Sequence, residues 1–245
     1  MVRFGKTEKM IIEKLKKDNA LHFTVVDPND CENSSVCANV VKKANSAGTD
    51  MILLRPSLGA SPLTINKCAR EIRACSNLPV VLLPTNVGDI SQEIDALFFV
   101  TLLNSRNIYW MVGAQALGAP VVKMLGVEAI PTAYLVIEPG ATLSWMGDVK
   151  PIPANNSRLA ATHALGGEYF GMRYLYLETG AKSKVQVPRD MIEEISKTSD
   201  IAMIVEAHGA DEEHIKSIVD AGAKIIVTEY RDDLKSVVEA IKTSR

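Results

Sequence analysis

Eight short apolar runs, rich in β-branched residues, alternate with segments of helical period from residue 21 to residue 242. That alternation constrains the chain most, because parallel strands need crossover connections and helices are the usual crossovers. The runs fall at 21–27, 51–54, 79–83, 96–101, 132–137, 173–177, 202–205 and 224–228. The helical segments fall at 34–47, 63–75, 104–123, 157–170, 188–197, 211–220 and 234–242. Gly48 follows the first of these and suits a C-cap. This count and order predict a single (β/α)8 TIM barrel, an α/β fold in one domain over residues 1–245. A doubly wound sheet is the alternative, but no G-x-G-x-x-G follows any strand, so a dinucleotide site has no support.

Two irregularities are expected. Residues 7–17 place Met10, Ile11, Ile12 and Leu15 on one helical face, so an extra N-terminal helix precedes the first strand and is positioned to plug the barrel bottom. Between strands three and four the connection holding Gly88 and Asp89 is too short for a full helix, so one outer helix is missing there. A Gly- and Pro-containing loop from Glu138 to Ala154 has the length of a lid or binding loop.

Composition narrows the function classes. At 245 residues and 47% hydrophobic the chain can build a large core. Its formal charge of -2, with both signs dispersed, provides no basic stripe for a phosphate backbone, so nucleic acid is not an expected partner. Cys31, Cys37, Cys68 and Cys75 show no C-x-x-C spacing and read as reduced cytosolic thiols rather than ligands. No apolar leader opens the chain, and no run reaches the ~20 apolar residues of a membrane span. A cytoplasmic protein is the expectation.

In a barrel the chemistry sits at the carboxyl ends of the strands. Here these are Asp27, Ser57, Asn86, Asn104, Glu138, Glu178, Glu206 and Glu229. Oxygen ligands dominate, which suits a hard divalent cation such as Mg2+ bound through one or two carboxylates and substrate phosphates. Solvated caps are the bland alternative for any one of them. His208, beside Glu206, reads as a partly exposed loop histidine, since no third ligand is evident among His22, His163 and His214. Tyr109 and Trp110 suit packing or a subunit interface as well as ligand contact, and Lys182, Lys184 and Arg189 form a basic cluster able to steer an anion.

The passages LHFTVVDPND, PSLGAS, LFFVTLLNSRNIYWMVGAQALGAP, IPTAYLVIEPGATLSWMGDVKPIP, GMRYLYLETGA and AGAKIIVT span nearly the whole chain. In them the sequence resembles the geranylgeranylglyceryl phosphate synthases and their bacterial heptaprenylglyceryl phosphate relatives. The resemblance implies a barrel prenyltransferase that joins sn-glycerol 1-phosphate to geranylgeranyl diphosphate, releasing diphosphate and forming an ether bond of archaeal membrane lipids. It implies Mg2+ between Asp27, Ser57 and the diphosphate, and Glu178 as the base near the glycerol hydroxyl. Tyr176, Glu178, Thr179, Gly180, Ala181 and Lys182, with Ala207, His208, Glu229 and Tyr230, are implied as substrate-binding, and Tyr134 and Trp145 as the lining or cover of a prenyl groove. A homo-oligomer in transient contact with a membrane surface completes the picture.

The chain departs from that family at its phosphate cup. Where the family has glycines after strands seven and eight, this chain has Glu206-Ala207-His208-Gly209 and Thr228-Glu229-Tyr230. After strand two it has Arg55-Pro56 for Gly-Gly, and after strand three Pro84-Thr85-Asn86 for P-G-N. Bare backbone N–H groups close on phosphate, whereas two like charges about 5 Å apart cost roughly 3 kcal/mol at an effective dielectric of ~20. Two functions therefore stand. One is an active synthase with a rearranged cup, in which Glu206 and Glu229 turn outward or are held by Arg55, Lys182 or His208. The other is a paralog that has lost glycerol phosphate binding and serves as a non-catalytic binding or structural protein. An ordinary sugar-phosphate barrel is disfavoured by the absent Gly-rich cup.

Overall fold

The structure is a computed structural model that describes residues 4–31, 34–181 and 183–244. Its strands are β1 (Leu21–Val26), β2 (Met51–Leu54), β3 (Val80–Leu82), β4 (Ala96–Leu102), β5 (Glu128–Val136), β6 (Tyr174–Glu178), β7 (Ala202–Glu206) and β8 (Ile225–Glu229). Every neighbouring pair is parallel, and β8 returns to β1, so the sheet closes into a barrel in chain order. The expected fold is present.

Alternation along the strands divides the apolar residues between two layers. Phe23, Met51, Val81, Phe98, Tyr176, Ile204 and Val227 pack together inside the barrel. Outward residues of β1–β4 meet α2 (Ser34–Ala47) and α3 (Pro62–Cys75). Those of β5–β8 meet α6 (Ser157–Tyr169), α7 (Arg189–Thr198), α8 (Glu212–Asp220) and α9 (Leu234–Thr243). His22 belongs, with Thr24 and Thr228, to a buried polar group in the outer layer. Its Nδ1 contacts Thr49 Oγ1 at 2.7 Å and its Nε2 contacts Thr228 Oγ1 at 3.0 Å. Complete burial holds its pKa down at about 3.

The N-terminal helix α1 (Lys6–Leu15) drives Ile11 into the inner cluster, with Met10 and Leu15 packed against it, and so closes the barrel at the amino end of the strands. Its first N–H groups have no intrahelical partners. Glu128, the first residue of β5, supplies them: Oε2 accepts from Thr7 at 2.7 Å and Oε1 from Glu8 at 2.9 Å.

Between β3 and β4 the chain makes one 3-10 turn, Val87–Asp89, and no α-helix. The buried Asp89 carboxylate holds it by accepting from Thr85 N at 2.7 Å, Thr85 Oγ1 at 2.8 Å and Asn86 N at 3.0 Å.

Two sequence expectations are corrected here. The helix expected over 104–123 begins with a π-turn at Tyr109–Gly113 and becomes α4 only at Ala114–Leu125. Asn104 keeps the preceding segment out of helix, because its side chain accepts from Val136 N at 3.2 Å and donates to Val136 O at 2.8 Å and Lys150 O at 3.0 Å. The long loop after β5 also holds a helix of its own, α5 (Ala141–Met146).

Candidate active site

The carboxyl ends of the strands open onto one cavity of about 1160 Å³, just above the roughly 300–1,000 Å³ usual for ligand sites. Asp27, Arg55, Ser57, Asn86, Glu178 and Glu229 give it a polar mouth. Val40, Leu97, Phe99, Trp110, Leu143 and Met146 give it apolar walls. Sequence position placed most of the polar set correctly. Asn104, Glu138 and Glu206 do not join it: the first ties backbone together as described, the second is exposed outside the cavity, and the third lines a separate small recess.

On the β1–β2 side the donors are accessible. Asp27 Oδ1 accepts from Asn29 N at 3.0 Å and from Ser57 N at 3.4 Å. Asn29 Nδ2 donates to Ser57 Oγ at 2.8 Å. This Asx-type turn follows from the Asp27-Pro28 step and brings a carboxylate and a hydroxyl together. Sequence reasoning paired Asp27 with Ser57 but missed Asn29, which links them.

On the β5–β7 side the groups are buried and engaged with one another. The Tyr134 and Tyr176 rings stack with centroids 4.8 Å apart, because register pairs the two residues across β5 and β6. Tyr134 donates to Glu178, and Tyr176 donates to Glu206 Oε2 at 3.1 Å. Arg55 donates through Nη1 to Glu206 Oε1 and holds Nη2 3.6 Å from Glu229 Oε1. The Arg55 guanidinium therefore occupies the space between the ends of β7 and β8. Of the two expected arrangements for Glu206, the one held by Arg55 is present, while Glu229 is exposed at the rim. Tyr134, expected as prenyl lining, both lines the cavity and binds Glu178; a shared height on two neighbouring strands was the available signal.

His208 stands in the turn after β7, as expected, but it turns inward onto Glu206. Its side chain is 9% exposed and its Nε2 lies against Glu206. Residues two apart at an extended strand end share a face. Because Nδ1 accepts from Glu229 N at 3.1 Å, the ring proton belongs on Nε2, facing the carboxylate.

These contacts separate two neighbouring carboxyl groups. Burial and the adjacent Glu206 charge push Glu178 up to about 8. Burial also opposes charge on Glu206, yet Arg55 and His208 outweigh it and hold that carboxyl at about 2. At neutral pH Glu206 is ionised and paired, and Glu178 is mostly protonated.

The remaining expected binding residues divide. Ala181 and Tyr230 line the cavity. Thr179, Gly180 and His208, with Ser183 and Gln186, which sequence reasoning missed, surround a recess of only about 10 Å³ beside Glu206. Gly180 is required by packing, since its φ is +110° and a Cβ would stand 2.8 Å from that of Ala141. Ala207 is fully buried, with its N–H bound to Val227 O at 2.9 Å. Trp145 lies outside the cavity lining and is 87% exposed. Of the basic cluster, Arg189 pairs with Glu193 at 2.8 Å, Lys184 is exposed, and Lys182 lies outside the described residues.

A closed parallel barrel with a buried carboxyl at the head of a large, mainly apolar cavity is the arrangement of a barrel enzyme's active site. The chain belongs to the PcrB family, which it matches over residues 11–243. It is 44% identical over 228 residues to the geranylgeranylglyceryl phosphate synthase of Thermococcus gammatolerans, covering 93% of this chain and 90% of that protein. To the enzyme of the same name from Pyrococcus horikoshii it is 43% identical over 242 residues, covering 98% and 94%. The crystal structure of (S)-3-O-geranylgeranylglyceryl phosphate synthase from Thermoplasma acidophilum, in complex with sn-glycerol-1-phosphate, superposes with a TM-score of 0.89 at 31% identity, covering 98% of this chain and 99% of that one. In fold and sequence the chain is a prenyltransferase of the geranylgeranylglyceryl phosphate synthase type.

Proposed function

We propose that the protein joins sn-glycerol 1-phosphate to geranylgeranyl diphosphate, making the first ether bond of an archaeal-type membrane lipid. The observation that carries this reading is the single mouth in which Asp27, Ser57 and Glu178 line one apolar cavity large enough for a prenyl chain. The glycerol hydroxyl attacks the first carbon of the prenyl chain, its proton passes to Glu178, and the carbon–oxygen bond to diphosphate breaks. A carboxyl near pH 8 is well matched to that proton transfer. Tyr134 fixes the orientation of the carboxyl by its hydrogen bond.

Mg2+ belongs to the same reading. The donor set fits a hard cation: Asp27 and Ser57 present oxygens, and no hydrogen bond engages Asp27 Oδ2 among the described residues. Bound there, the ion would neutralise charge on the departing diphosphate. Transient membrane contact is supported by the exposed Leu58, Trp145 and Met146, and self-association by the exposed Leu117 and Met124 on α4 with Tyr169 and Phe170 at the end of α6.

The recess beside Glu206 favours the second reading, a barrel that no longer binds glycerol phosphate. At about 10 Å³ it holds one water and no phosphate. An active enzyme must then release Arg55 from Glu206, or move the segment after β6, to seat the acceptor. Incubation with Mg2+, labelled glycerol 1-phosphate and geranylgeranyl diphosphate decides between the readings. Ether product is expected, and its absence beside a working synthase leaves the non-catalytic reading.

A further inference from the structure

Cys31, Cys37 and Cys68 are separated in sequence and joined in space, a convergence their spacing does not show. Cys31 ends the 3-10 turn Pro28–Cys31 just behind Asp27, Cys37 lies in the first turn of α2, and Cys68 lies midway along α3. They are 3%, 1% and 0% exposed. Their three Sγ atoms lie within 4.8 Å of one another, and those of Cys37 and Cys68 are 4.0 Å apart. Among the described residues this is the group of three potential metal ligands whose donor atoms converge.

Zinc–thiolate bonds of about 2.3 Å place two sulfurs of a tetrahedral or trigonal site about 3.8–4.0 Å apart. The Cys37–Cys68 separation already meets that geometry, and the third sulfur lies within 4.8 Å of both, less than 1 Å beyond it. Cys31 and Cys37 also line the large cavity, which provides an entry path and a place for a fourth ligand.

We propose that Cys31, Cys37 and Cys68 form a three-thiolate site for a thiophilic d10 cation of the zinc class, set in the wall of the cavity. Each thiol gives its proton to water as its sulfur–metal bond forms, so binding strengthens as pH rises. The site is chemically distinct from the oxygen pair Asp27 and Ser57, since soft sulfur selects against Mg2+. It would pin the turn that starts at Asp27 to α2 and α3 at once, and it does not depend on which reaction the barrel performs.

The test uses the full chain, purified with a non-thiol reductant, then stripped of metal and titrated with Co2+ and Zn2+. One Co2+ per chain is expected, with a sulfur-to-cobalt charge-transfer band that Zn2+ abolishes, and Zn2+ should raise the thermal midpoint. Cys37→Ala and Cys68→Ala should each lose the band, and Cys75→Ala should keep it. Circular dichroism identifies any variant that fails to fold, and the wild-type spectrum stands without the variants. Absence of a charge-transfer band, a band that survives both substitutions in folded protein, or mass spectrometry finding Cys37 and Cys68 joined as a disulfide under reduction would each overturn the proposal.

Discussion

The two sides of the barrel mouth solve opposite problems. On the β1–β2 side Asp27 and Ser57 hold their positions through a short turn and Asn29, and they keep oxygen available to the cavity. On the β5–β7 side Glu178, Glu206, Tyr134, Tyr176 and Arg55 satisfy one another in a buried network. The first side is built to receive charge from a ligand. The second has already neutralised its own, and so couples chemistry to stability.

That contrast can be broken most forcefully at Arg55. Arg55→Met leaves the buried Glu206 without its cation, and a loss of about 3–5 kcal/mol is expected in denaturant unfolding. Adding Glu206→Gln should recover most of it; no recovery would show that the pair is not coupled. Glu178→Gln removes the proton acceptor with little change of shape, and turnover should fall at least ~100-fold, or about 2.7 kcal/mol, in the labelled-glycerol assay. An active Glu178→Gln enzyme would remove the base from this side of the mouth.

The pH profile sharpens the comparison further. Because the raised Glu178 carboxyl must lose its proton to act, the rate should climb about tenfold per pH unit below 8 and level above it. Tyr134→Phe removes a hydrogen bond that favours the ionised form, so that limb should move to higher pH. A profile flat from pH 6 to 9 would contradict the assignment. The smallest stability effect belongs to the open side. Asp27→Asn keeps the Oδ1 acceptor for Asn29 and Ser57, so unfolding should change by no more than about 0.5 kcal/mol while the response to added Mg2+ weakens. A large stability loss there would mean that the two sides are built alike.

What was legible follows from range. Strands such as Met51–Leu54 and helices such as Ser34–Ala47 were readable because their signals are periodicities within a dozen or so residues. The missing helix before β4 and the plug at the N-terminus were readable for the same reason. Asn104 broke the helical reading of its segment through backbone partners near residues 136 and 150, which no local pattern reveals.

The sequence by itself determined the barrel and the strand-end positions of Asp27, Arg55, Ser57, Glu178, Glu206 and Glu229. Only the tertiary structure decided which groups meet: Arg55 with Glu206 across 151 residues, Tyr134 with Glu178 across 44, and Cys37 with Cys68 across 31. The physical reason is that periodicity sets which face a residue occupies, whereas protonation and ligation depend on what faces it across the closed sheet.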